Sequence, residues 1–182
     1  MRASEATRRV VVLESALLTF ARHGYRVTSM DAIAREAKIS RPGLYFLFSS
    51  KESLFRESVS HVLARDLEAI EGMLADASRP LDERLLAAFD RWAGRYVGPG
   101  VWDVPAVIAD NPELLDPAAQ AAPARFEALA IAAVEGRTAA PGQVAQTLIS
   151  VSVGLKHQAD TREDYLDRMR TAIALLIHSP AI

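Results

Sequence analysis

Residues 28–54 read TSMDAIAREAKISRPGLYFLFSSKESL, and their spacing sets the architecture around them. Thr28 is placed to cap a helix, because its hydroxyl can accept from the free backbone N–H groups of a first turn. Asp31 stands three positions on, where a side chain can reach back to the cap nitrogen in a weaker form of the capping box. Met30, Ile33, Ala34 and Ala37 recur at i, i+3, i+4 and i+7, which is one face of a helix. Lys38-Ile39-Ser40 has room only for a turn. Ser40 caps the next helix and Pro42 fits its first turn, where a missing N–H costs nothing. Leu44 and Phe48 aim that second helix back at the first. Ser50 opens a third, with Lys51 and Glu52 in its first turn. Two short helices across a tight turn form a helix-turn-helix, which can lay its second helix in a DNA major groove.

The wording within and around this unit carries more. Ala16, Phe20, His23-Gly24-Tyr25, Thr28, Ile33-Ala34, Ala37, Ile39-Ser40, Leu44-Tyr45, Phe48 and Ser50-Lys51-Glu52 with Leu54 stand at spacings that resemble the DNA-binding domain of the TetR (tetracycline-repressor) family of bacterial transcription regulators. The resemblance runs from about Arg9 to Phe55. It implies an all-α chain of about nine helices: an N-terminal three-helix helix-turn-helix domain over residues 1–53, and a C-terminal helical ligand-binding and dimerisation domain over residues 54–182. It also implies a homodimeric regulator of a near-palindromic operator, most often a repressor, in the bacterial cytoplasm beside the nucleoid. Its effector would be a small apolar or aromatic molecule.

Composition agrees with that division. The 182 residues are 50% hydrophobic, enough for a real core, and carry a formal net charge of −2. The charge is uneven. Residues 1–60 hold 10 Lys and Arg against 6 Asp and Glu, and residues 61–182 hold 11 against 17. A basic end suited to phosphate is thus joined to an acidic body that is not. No cysteine is present, which excludes a disulfide framework and a thiolate zinc site and fits a reducing compartment. Charged residues near the N-terminus argue against a signal peptide. No apolar run reaches membrane-spanning length.

Working outward, a helix is expected from Arg8 to His23 with Leu13, Ala16, Leu17 and Phe20 inward, closed by Gly24 in a left-handed cap. Residues 1–7 read as frayed. The helix begun at Ser50 continues to about Ala75. Leu81–Tyr96 reads as a fifth helix, and Pro105 and Pro112 break the stretch to Leu115 into one or two short ones. Asp116 caps a helix to about Glu135, expected to be irregular near Pro123. Helices over 142–158 and 162–178 end the chain. No strand pattern appears.

The last two helices are apolar around most of their circumference, which requires burial on several sides. Val144, Leu148, Val151 and Leu155, with Leu166, Met169, Ile173 and Ile177, are therefore the expected dimer interface, a four-helix contact between two copies. An ordinary core pairing within one chain explains the same pattern.

For DNA, Arg41 opens the second helix of the motif, where arginine can hold guanine by two hydrogen bonds or touch phosphate. Gly43 offers no side chain to a base, which shifts weight to Arg41 and to Phe46. Phe46 can meet thymine methyls or pack on the body. The resemblance gives Tyr45 and Lys51 to backbone phosphates. Thr28, Ser40 and the N–H groups of helix starts extend that set. Lys38 stands where the family usually has glycine. A left-handed backbone there costs a lysine ~1 kcal/mol while supplying a further phosphate partner.

For a ligand, Phe89, Trp92, Tyr96, Trp102 and Phe126 concentrate aromatics mid-chain, able to line a cavity or simply to fill a core. Arg95, Asp103, His157 and Gln158 are the polar candidates, His157 because a helix C-terminus favours its charged form. No phosphate loop, nucleophile motif, metal-ligand pair or cofactor signature occurs. An enzyme is therefore not expected. The competing reading is a helical protein-interaction module whose degenerate helix-turn-helix no longer reads DNA.

Overall fold

Apolar residues at helical spacing run through the whole chain, and they fold it into helices alone. The computed structural model describes residues 2–178, with side chains from residue 6 onward. Among these there are nine α-helices and no strand: α1 Arg2–His23, α2 Met30–Glu36, α3 Arg41–Leu47, α4 Lys51–Ala75, α5 Leu81–Trp92, α6 Val104–Ala109, α7 Pro117–Val134, α8 Pro141–Gln158 and α9 Arg162–His178. Single 3-10 turns lie at Gly94–Tyr96 and Pro112–Leu114. The all-α expectation holds. The helices gather into two compact units, Met1–Ala64 with Trp102–Gln120, and Arg65–Val101 with Ala121–Ile182.

In the first unit α1 buries Val12 together with the expected Leu13, Ala16, Leu17 and Phe20. Gly24 ends the helix at φ 80°, and its N–H donates to the Phe20 carbonyl at 2.8 Å. The rings of Phe20 and Tyr25 both meet Phe55 of α4 edge-on, with centroids 5.1 and 4.9 Å away. Arg9 crosses from α1 to the end of α3. Its guanidinium donates to the Leu47 carbonyl at 2.8 Å and lies 4.3 Å over the Phe48 ring, so one side chain caps the short helix and covers its last aromatic. Residues 102–120 join this unit through hydrogen bonds to α4. Arg56 donates to the Leu114 carbonyl at 3.2 Å, and Ser60 donates to the Asp116 carboxylate. Asp116 also caps α7 as expected, accepting from Ala119 N–H at 2.8 Å. The Ser60 hydroxyl and these amides hold its carboxyl below the usual carboxylate range.

In the second unit Leu85 and Phe89 of α5, Phe126 of α7, Leu148 of α8 and Met169 and Ile173 of α9 make the core. Tyr165 is fully enclosed in it. Its hydroxyl hydrogen-bonds Ser152 Oγ at 2.8 Å and donates to the Phe89 carbonyl at 3.3 Å, which satisfies a polar group that burial would otherwise penalise. Asp66 of α4 is nearly buried and is paired with Arg91 at 2.7 Å and with Arg95.

Three expectations change. The frayed segment 1–7 is helical from Arg2 onward, and Met1 lies outside the described residues. α7 passes through Pro123 without a break, because loss of one ladder bond does not outweigh the packing of Ala122 and Phe126 on either side. The fifth helix stops at Trp92 and not at Tyr96. Ala93 leaves the helical region (φ −132°, ψ −45°), and Gly94 comes so close to Tyr165 that a Cβ there would lie 2.6 Å from Tyr165 Cε1. The aromatic ring takes the room that a continued helix with side chains would need.

Gly94→Ala should therefore destabilise by about 1–3 kcal/mol through overpacking. That is a fall in Tm of roughly 3–10 °C, read by circular dichroism; an unchanged Tm would show that the ring yields freely. Burial also pushes the Tyr165 phenol up from 10.0 to about 12. Below pH 10 both folded and unfolded states keep the proton. Above it the unfolded chain ionises first, so this group's contribution, about 2–3 kcal/mol, is lost as pH climbs to 12. Stability measured across that window should fall more steeply in the native protein than in Tyr165→Phe.

Candidate nucleic-acid interface

The helix-turn-helix is built by short-range hydrogen bonds that the sequence spacing dictates. Ser29 caps α2, accepting from Ala32 N–H at 3.2 Å. Thr28 does not take that place. It is buried, and its hydroxyl donates to the Gly24 carbonyl at 2.8 Å, sealing the loop after α1. Both residue types suit a cap, and the loop geometry selects the second. α2 ends as a left-handed cap: Ile39 N–H reaches the Ala34 carbonyl at 3.0 Å and Lys38 N–H the Arg35 carbonyl at 3.1 Å. Lys38 has φ 54°, the one non-glycine residue at positive φ among those described. Ser40 then caps α3 through Gly43 N–H at 3.1 Å. Met30, Ile33, Ala34, Ala37, Leu44 and Phe48 all turn inward, as the periodicity requires.

What remains outward is the candidate interface. Arg41 is exposed and paired with Asp31, Nε to Oδ1 at 3.0 Å. Asp31 thus pairs with Arg41, and Ser29 is the cap. An ion pair this exposed is worth at most about 1 kcal/mol, so the guanidinium is oriented without being locked. It also lies 5.7 Å from the Tyr45 ring centroid. Tyr45 is 44% exposed and Phe46 is 81% exposed, so Phe46 does not pack on the body. Gly43 sits against the Ser40 cap, where a Cβ would come to 3.0 Å from Ser40 Oγ. Exposed Arg26, Arg35, Lys38 and Arg41 outnumber Asp31 and Glu36 along the same segment.

Lys51 has a structural engagement that its expected phosphate contact does not include. Its ammonium donates to the carbonyls of Tyr25 at 3.1 Å, Arg26 at 3.3 Å and Thr28 at 3.1 Å and lies 4.5 Å from the Tyr25 ring centroid. The start of α4 leaves its side chain facing the loop before α2, so it ties the two together. Ser50 caps α4 as expected, accepting from Ser53 N–H at 3.0 Å.

The ligand candidates divide. Phe89, Trp92 and Phe126 come together, Trp92 stacked on Phe126 at 4.7 Å and Phe89 edge-on to it at 5.3 Å. Tyr96 hydrogen-bonds Arg95, which pairs with Asp66. Trp102 belongs to the first unit. There Arg22 lies 5.2 Å from its ring centroid, beside an open cleft of about 200 Å³ lined also by Ser15, Leu18, Thr19, His23 and Glu36. His157 is exposed, Asp103 caps α6 and Gln158 accepts from Arg168. On the last two helices, Leu148, Leu155, Met169 and Ile173 are buried within the chain itself, while Val144, Val151, Leu166 and Ile177 are half-buried. Val153 and Leu175, outside the expected set, are exposed. No group of three or more His, Asp or Glu among the described residues is placed to hold a metal ion. No helix among them is long and apolar enough to cross a membrane.

Replacing Lys51 by Met should destabilise the protein by about 1–3 kcal/mol, since three carbonyls lose a charged donor. A thermal melt reads this directly. A Tm equal to that of the native protein would mean that the ammonium has no structural role.

Residues 12–58 match the model of the bacterial regulatory proteins of the tetR family. The uncharacterised HTH-type transcriptional regulator YhgD of Bacillus subtilis is 30% identical over 78 residues, 43% of this chain and 40% of its own length. Such matches take in less than half the length of these curated relatives. The crystal structure of the TetR family transcriptional regulator PfmR from Thermus thermophilus superposes with a TM-score of 0.68 at 20% identity, over 94% of this chain and 99% of that one. That of AibR in complex with isovaleryl coenzyme A and operator DNA gives 0.63 at 20% identity, over 93% and 98%. The helix-turn-helix segment of this chain is thus similar to that of the tetR family of bacterial regulatory proteins, and its described residues share the fold of solved regulators such as PfmR.

Proposed function

We propose that this chain is a homodimeric, sequence-specific DNA-binding transcription regulator, a repressor by its resemblance, whose operator affinity answers to a small apolar or aromatic ligand. The observation that carries the reading is the outer face of α3. Its inner face is closed by Leu44 and Phe48, its start is capped by Ser40, and Arg41, Tyr45 and Phe46 are left facing outward amid exposed arginines and a lysine. Arg41 would trade its weak pairing with Asp31 for a guanine edge. Tyr45, Lys38, Ser40 and the amides at the start of α4 would meet phosphates. Lys51 would act there through its backbone N–H, its ammonium being engaged.

Residues 1–53 would form the reader and 54–182 the sensing and dimerising part. Val144, Val151, Leu166 and Ile177 would meet a second copy, placing two readers one helical turn of DNA apart. AibR, whose structure holds both isovaleryl coenzyme A and operator DNA, supports a ligand-responsive regulator, and the clustered Phe89, Trp92 and Phe126 would be the apolar groups that meet the ligand. A ligand changes occupancy of the operator only if it binds the two states unequally.

Selection from a random duplex library, followed by footprinting, tests the reading. We expect a near-palindrome bound with affinity that falls steeply with salt. Arg41→Ala should weaken that site by ~10–100-fold, and Tyr45→Phe should weaken all duplexes alike. Folded, dimeric protein that retains no duplex at low salt would favour the interaction-module reading, for which the exposed side chains of Phe46 and Val27 would be the docking groups.

A further inference from the structure

The outer face of α3 is unusually poor in hydrogen-bonding groups. Arg41 and Tyr45, at i and i+4, form one edge. Pro42 and Phe46, also at i and i+4, form the strip beside it, and Gly43 adds no side chain between them. Phe46 leaves 81% of its surface in water, although a phenyl ring gains about 25 cal/mol for each Å² it buries. Leu44 and Phe48 already close the core beneath, so nothing in the packing of α3 requires an aromatic at position 46. Charge complementarity selects a polyanion as the occupant, since exposed Arg26, Arg35, Lys38 and Arg41 outnumber Asp31 and Glu36 in the same helix-turn-helix segment. In a major groove the apolar group on base edges is the thymine 5-methyl, and phenylalanine is among the side chains that meet it.

We infer that Phe46 is a specificity-determining residue that reads thymine methyl groups, so that each half-site is recognised by one arginine–guanine contact and by methyl packing beside it. This rests on the DNA-reading role proposed above. Gly43 carries no side chain, and Phe46 is then the side chain that can touch the bases next to the one Arg41 holds. Methyl packing discriminates by shape and burial, and it does so without the donor that Gly43 withholds.

The test uses full-length protein and a duplex selected from a random library, remade with deoxyuridine in place of each thymine in turn. At one or two positions of each half-site the native protein should bind about fourfold more weakly per methyl removed. Phe46→Ala should bind the thymine and uracil duplexes equally. Phe46→Leu should keep part of the difference. Because residue 46 is exposed, both variants should melt with the native protein, which circular dichroism checks. Equal binding of thymine and uracil duplexes by the native protein at every position would overturn the inference while leaving DNA binding intact. So would a thymine preference that survives Phe46→Ala. Failure to select any duplex would overturn the inference and the regulator reading together.

Discussion

The helix-turn-helix depends on the ammonium of Lys51. It gathers three carbonyl oxygens of residues 25–28, a stretch whose backbone would otherwise have no helix to complete. That clamp fixes where α2 begins relative to α4. The turn and α3 follow from α2 through the Schellman cap at Lys38 and the serine cap at Ser40. Tyr25 lies beneath the ammonium and against Phe55, so charge, carbonyls and ring are one cluster. Arg9 secures the opposite end of α3 at Leu47. A helix of seven residues is too short to be stable alone, and the Ser40 cap and Arg9 hold it from its two ends.

Polar groups perform a comparable task in the second unit. Asp66, Arg91 and Arg95 form a nearly buried ionic cluster. Its attraction is offset by desolvation, so its value lies more in fixing one arrangement than in adding stability. Tyr165 does the same in neutral form, reaching Ser152 of α8 and the Phe89 carbonyl of α5. The break after Trp92 follows from it, because Gly94 yields the space the ring fills. Arg162 adds a bidentate pairing to Asp90 at 2.8 and 2.5 Å, tying the start of α9 to the same part of α5.

Much of the helix-turn-helix was legible because its rules are local. Ser40, Pro42, Gly24 and the inward set Ile33, Ala34, Leu44 and Phe48 act within a turn or two of themselves, and spacing alone reports them. Thr28 was misread as the cap because Thr28 and Ser29 are equally able to cap, and only the path of the loop chooses. The contacts of the Lys51 side chain were not legible for a related reason. A lysine at a helix start can face outward to an anion or inward to carbonyls, and the carbonyls here come from 23 to 26 residues earlier. Lys38 carried a usable signal: a turn too short for anything else, at the position where the family usually has glycine, pointed to the left-handed backbone that the structure has.

By itself the sequence determined the helices, the two-helix motif with its caps, the residues facing inward along each helix, and the basic end joined to an acidic body. These depend on periodicity, propensity and charge, all of which are properties of neighbouring residues. Tertiary structure decided which groups are spent internally and which are left to act. It buried Thr28, engaged Lys51, exposed Phe46, assigned Trp102 to the first unit and Phe89, Trp92 and Phe126 to the second, and divided the apolar surface of α8 and α9 between interior Leu148 and Met169 and outward Val153 and Leu175. The physical reason is that a side chain's availability is set by partners distant in sequence. Hydrophobicity and charge declare what a residue can do, and packing settles what remains for it to do.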